Sequence, residues 1–248
     1  MSNSRKSRFL VLLILLLAVF IAVGIILLRK KTPVEENSGA AAESGSASSA
    51  KKAGGGWIEV KGADFIGHEV RDAATGAVVA KIDALQSTLA LPAGTYDVGF
   101  GATDLKGVTV KEGEKMVLEP GAITVNHASL KGHDVVASGT GVVQGRVSAI
   151  DSHLVLLPGA YDVKFGPLSW PVEVKAGETT VLDPGLIEVR RADINGHKIH
   201  DLTGALIGEV SATGSVMPLP PGDYTIELDG KTVSFTIKAG EKVTLERK

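Results

Sequence analysis

Leu91-Pro92-Ala93-Gly94-Thr95-Tyr96-Asp97-Val98 returns as Leu157-Pro158-Gly159-Ala160-Tyr161-Asp162-Val163, and again as Leu219-Pro220-Pro221-Gly222-Asp223-Tyr224-Thr225-Ile226. In each copy a Pro-Gly turn leads into a tyrosine, and apolar residues then fall on every second position: Tyr96, Val98 and Phe100; Tyr161, Val163 and Phe165; Tyr224, Ile226 and Leu228. Alternation at period two puts one row of side chains on one face, so each tyrosine heads an inward-facing row of a half-buried strand. One-residue slips within the Pro-Gly segment mark it as a turn, where length is tolerated.

Working outward, the whole unit repeats at a shift of roughly 63–65 residues. Ile58-Glu59-Val60 recurs as Ile123-Thr124-Val125 and Ile187-Glu188-Val189, and Gly67-His68 recurs as Gly132-His133 and Gly196-His197. Thr75-Gly76 recurs as Thr140-Gly141 and Thr203-Gly204, and Lys111-Glu112-Gly113-Glu114 as Lys175-Ala176-Gly177-Glu178 and Lys238-Ala239-Gly240-Glu241. Alternation returns in Val108-Thr109-Val110, Val172-Glu173-Val174 and Val233-Ser234-Phe235-Thr236-Ile237. With turn signals every 8–12 residues, about six or seven strands fit each copy, which describes a small antiparallel β-sandwich. Pro120-Gly121 and Pro184-Gly185 hand the chain from one copy to the next, and the third copy stops at Arg247-Lys248. The fold expected is therefore all-β, three tandem modules at 57–121, 122–185 and 186–248, with the array complete at its C-terminus. A core this small is marginal alone, so neighbouring modules should pack across the Pro-Gly junctions into a semi-rigid rod.

Ahead of the modules, Phe9 to Leu28 is an uninterrupted apolar run. About 20 such residues as an α-helix cross a bilayer core of about 30 Å, so a single transmembrane helix is expected over 9–28, with the lipid bilayer as its partner. A cleaved signal peptide is the competing reading, but Leu27-Leu28-Arg29-Lys30-Lys31 takes the place of a small-x-small site. Arg5, Lys6 and Arg8 balance Arg29, Lys30 and Lys31 across the span, so the positive-inside count is a tie. The short basic tail of residues 1–8 breaks it, placing the tail in the cytoplasm and the modules in the periplasm or extracellular space. Residues 29–56, rich in Ala, Ser and Gly, lack any hydrophobic period and read as a flexible tether with a mean reach of roughly 25–30 Å.

Formal charge is −2 over 248 residues, and the basic residues that cluster do so before the modules. A mildly acidic repeat region lacks the Lys/Arg patch that phosphate binding requires, so nucleic acid is not an expected partner. With no cysteine, disulfides, thiolate metal sites and thiol nucleophiles fall away.

The Pro-Gly-x-Tyr-x-Val strand followed by a Val-x-Val-Lys-x-Gly-Glu strand resembles bacterial cell-envelope β-sandwich repeats of the carboxypeptidase-regulatory-like and PEGA types. The likeness spans Trp57 to Lys248. It implies non-catalytic, extracytoplasmic modules appended to an anchor, and it carries over no functional residues.

One histidine per module (His68, His133, His197) spreads imidazoles along the array, whereas a metal needs converging ligands, so a structural role near the preceding glycine is expected. His197 and His200 lie three apart on a strand and should face opposite ways. His68-Glu69-Val70-Arg71-Asp72 lacks the second histidine of a zinc-protease helix, and Gly139 to Gly145 misses phosphate-loop spacing. Trp170 lies in phase with Val172 and Val174, and both it and Trp57 are expected in the core rather than as sugar platforms. Serines crowd the linker, where nothing holds a nucleophile's geometry. The expectation is thus no catalytic, cofactor or metal residues, and a membrane-anchored interaction protein of the bacterial envelope with a protein or glycan partner. Two alternatives are a glycan- or peptidoglycan-binding array and an accessory subunit of a membrane complex.

Overall fold

A computed structural model describes residues 54–247. The expected basic tail (1–8), transmembrane helix (9–28) and most of the linker lie outside the described residues. Among the described residues no helix is long and apolar enough to cross a membrane.

The described chain is built of strands, seven to each repeat. The first module holds β1 (Gly55–Val60), β2 (His68–Asp72), β3 (Val78–Ile82), β4 (Thr88–Pro92), β5 (Gly94–Phe100), β6 (Thr103–Val110) and β7 (Lys115–Leu118). The second holds β8 (Gly121–Val125), β9 (His133–Ala137), β10 (Val143–Val147), β11 (His153–Leu156), β12 (Gly159–Phe165), β13 (Leu168–Val174) and β14 (Thr179–Leu182). The third holds β15 (Gly185–Arg190), β16 (His197–Asp201), β17 (Leu206–Val210), β18 (Val216–Leu219), β19 (Gly222–Leu228), β20 (Lys231–Ile237) and β21 (Lys242–Glu246).

Each module pairs a three-stranded sheet with a four-stranded one, in the orders β4-β1-β7 and β3-β2-β5-β6 for the first, and the same pattern follows twice more. The tyrosine strand β5 sits inside the four-stranded sheet, between β2 and the alternating strand β6. One expectation needs correcting: the modules are not wholly antiparallel. β1 runs parallel to β7, β8 to β14 and β15 to β21. Alternation fixes which face a residue occupies but not the direction of its neighbour, and the closing strand reaches the first by crossing from the other sheet. The first strand also begins at Gly55, ahead of the expected start at Trp57.

The inward rows meet between the sheets. In the second module Ile123, Val125, Val135, Val163, Phe165 and Val174 are buried together with Leu154, Leu156 and Leu182. Burying each such side chain contributes about 1.5–3 kcal/mol against the entropy of ordering the chain. The tyrosines close the corner between the two sheets. Tyr96, Tyr161 and Tyr224 each donate a hydroxyl hydrogen bond to the carbonyl four residues upstream, on Pro92, Leu157 and Pro220, at 2.9, 2.7 and 2.9 Å. Burial pushes the Tyr224 hydroxyl pKa up to about 12, so the donor keeps its proton. This is why Pro-Gly is followed by tyrosine three times over: the phenol reaches back and fixes the turn.

Candidate functional site

The repeated histidines are structural ties. Gly67, Gly132 and Gly196 hold φ of 79°, 76° and 79°, a left-handed turn that glycine adopts without strain and that delivers the next side chain into the core. There the Nδ1 of His68, His133 and His197 donates to the carbonyls of Gly99, Lys164 and Glu227, each at 3.1 Å. That bond sets the tautomer and leaves Nε2 as an acceptor. In the second and third modules Nε2 accepts the backbone N–H of Ser129 (3.2 Å) and of Asp193 (3.0 Å). In the first it is buried without a hydrogen bond, 3.8 Å from an Asp64 carboxylate oxygen. Burial holds the His68 and His133 pKa values below the ordinary histidine value, so both rings are neutral at pH 7. The rings pack on the inward phenylalanines, with centroids 4.6 Å apart for His68 and Phe100 and 4.1 Å for His133 and Phe165.

Other sequence candidates are strand residues. His68 to Asp72 forms β2, and the Gly139–Gly145 stretch runs from a turn into β10. His197 is buried while His200, beyond a register shift in β16, is half-buried. Among the described residues no group of three or more His, Asp or Glu side chains is arranged to hold a metal ion. Trp170 is half-buried against the second core, its ring 5.9 Å from that of Phe165. Trp57 is a second correction: it is 42 % exposed. It alternates with buried Gly56 and Ile58, so at period two it faces solvent.

Where residues from different repeats do converge is at the module junctions, where packing was expected from the sequence but not the residues that make it. The turn between β5 and β6 leans onto β10 of the next module. A Cβ on Gly101 would lie 2.0 Å from the Gln144 carbonyl oxygen. Thr103 Oγ1 donates to Gln144 Oε1 at 2.8 Å, and Gln144 is buried. Between the same two modules the buried Asp64 carboxylate accepts the N–H of Val155 at 3.0 Å, and it also accepts that of Gly67 at 2.8 Å. Ala122 and Val155, of the second module, complete the first module's core.

The second junction repeats the tip contact but not the polar ties. A Cβ on Gly166, in the β12–β13 turn, would lie 2.7 Å from the Ile207 carbonyl oxygen on β17. At the positions equivalent to Asp64 and Val155 stand Ser129 and Pro218, and proline has no N–H to give. Among the described residues no side-chain hydrogen bond crosses this junction. A cleft of about 780 Å³ opens there, lined by Ser129, Leu130, Phe165, Ile207, Met217 and Pro218 among others.

These features define a tandem array of all-β, sandwich-like modules joined by hairpin-on-strand contacts. No family model matches the chain, and no curated protein matches it. Among solved structures it is similar to the one titled "The Bacillus anthracis TIE protein", at 16 % identity over 78 % of this chain and 50 % of that chain, with a TM-score of 0.22. The chain thus covers about half the length of that protein, and a TM-score this low carries no argument about fold or function.

Proposed function

We propose that this chain is a non-catalytic structural or interaction protein of the bacterial envelope, held in the inner membrane by residues 9–28 and presenting three linked β-sandwich modules in the periplasm or extracellular space. The supporting observation is that the junctions are built contacts: a glycine tip seated on a backbone carbonyl at both, and a buried carboxylate bridging the first two modules. Such contacts couple neighbours and suit an array that holds partners at set spacing. The carboxypeptidase-regulatory-like and PEGA resemblance points the same way. Photocrosslinkers at exposed module positions of the full chain in intact cells test it; discrete protein adducts are expected, and their absence at every position would refute partner docking. For topology, Ser48→Cys should react with a membrane-impermeant thiol reagent in intact cells. Labelling only after lysis would put the modules in the cytoplasm.

A glycan-binding role is the second reading, favoured by the solvent-facing Trp57 ring. It requires retention on a peptidoglycan column that Trp57→Ala abolishes.

A further inference from the structure

The hairpin-on-strand contact is made twice within the chain, and its receiving half occurs a third time. On β3, β10 and β17 the first of two equivalent residues is similarly exposed in every module: Val78 55 %, Val143 50 % and Leu206 51 %. The next residue separates them. Gln144 is 6 % exposed and Ile207 5 %, whereas Val79 is 47 % exposed. Gln144 and Ile207 are the two residues whose carbonyls lie under Gly101 and Gly166, so what distinguishes Val79 is the hairpin tip that its counterparts receive from the preceding module.

We propose that the Val79 position of β3 is a docking site for a glycine-tipped β-hairpin of another protein, seated on the Val79 carbonyl as Gly101 sits on Gln144 and Gly166 on Ile207. The partner's chemistry follows from these two contacts. Its turn has two residues, as between the paired Phe100 and Thr103 or Phe165 and Leu168. Glycine stands first in it at positive φ, 64° and 62° in the two known cases, because any Cβ there meets a backbone oxygen.

A second copy of this chain does not fit that description. Two of its tips are engaged within the array, and the third, between the paired Leu228 and Lys231, has Asp229 in the glycine position. Asp229 carries the Cβ that the contact excludes, and its carboxylate accepts a hydrogen bond from Arg247 Nε at 2.7 Å.

This site deepens the reading of the chain as an interaction protein, yet it can fail separately, since partners docking elsewhere would leave Val79 untouched. The test uses the full chain in detergent with labelled valine methyls, and as probe a cyclised synthetic hairpin of this chain's residues 159–174. Saturable shifts of the Val79 methyls are expected, abolished by Val79→Asp and altered less than about twofold by Val78→Asp. The probe carrying Gly166→Ala should bind at least roughly tenfold more weakly, since its added methyl blocks close approach. Unmoved Val79 methyls, or equal binding of the two probes, would overturn the site. Val79 shifts that grow with protein concentration alone would overturn the choice of occupant in favour of a second copy, and a photocrosslink from position 79 to residues 1–53 of the same chain would do so in favour of that segment.

Discussion

Replacing Gly101 by alanine tests whether the first two modules are mechanically joined. Two costs separate cleanly. The first is conformational: an L side chain at φ 64° costs about 1–2 kcal/mol wherever it occurs. Gly230 measures that cost alone, because it has φ 73° in the equivalent hairpin of the third module and open space around its missing Cβ. The second cost belongs to the junction. From 2.0 Å, the added methyl must retreat by about 1.4 Å to reach ordinary contact with the Gln144 oxygen. That movement parts Thr103 from Gln144, now 2.8 Å apart, and leaves a buried amide without its partner, worth about 1–3 kcal/mol. Gly101→Ala should therefore cost about 2–5 kcal/mol and Gly230→Ala about 1–2. Gly166→Ala, starting at 2.7 Å from Ile207, should fall between them. Urea denaturation of the full chain gives the ranking, and amide exchange at Val155, whose N–H bridges to Asp64, locates the damage. Equal costs for Gly101→Ala and Gly230→Ala, within about 0.5 kcal/mol, would refute the seated-tip contact.

Tyr161→Phe deletes the 2.7 Å bond to the Leu157 carbonyl and should lower stability by about 1 kcal/mol in urea denaturation; an unchanged midpoint would mean that this hydroxyl does not stabilise the turn. Because burial lowers the His68 and His133 pKa values, acid should destabilise the fold. Below about pH 6.5 the unfolded chain takes up protons that the folded rings refuse, so stability is fully present above that value and falls as the pH drops toward the depressed folded pKa values. Thermal melts between pH 7 and 5 should show this slope, and the His68→Gln, His133→Gln variant should flatten it. At the second junction, Ser129→Asp together with Pro218→Val restores a carboxylate and an N–H at the positions of Asp64 and Val155. A double-mutant cycle should show favourable coupling of about 1.5–3 kcal/mol, the worth of a hydrogen bond to a charged group, whereas zero coupling would mean that the two positions do not meet.

Period-two alternation and a unit recurring three times were sufficient to read an all-β chain of three repeated units and their inward tyrosine rows, because those features rest on local backbone geometry that repeats wherever the residues do. The same patterns were silent on what depends on chain direction and long-range meeting. That β1 lies parallel to β7 is invisible to alternation, and Trp57, expected in the core alongside Trp170, faces solvent because it is out of phase with the buried Gly56 and Ile58. The Gly-His pair could be seen as repeated, but not that each imidazole reaches a carbonyl some 30 residues away. The junctions were the least legible. Gly101, Gly166 and Asp229 look alike in sequence as turn residues, and only packing one module on the next reveals that a missing Cβ lets a tip rest on a neighbouring backbone. Local composition set the parts of this protein, whereas the contacts between parts depended on which surfaces the tertiary fold brought within reach.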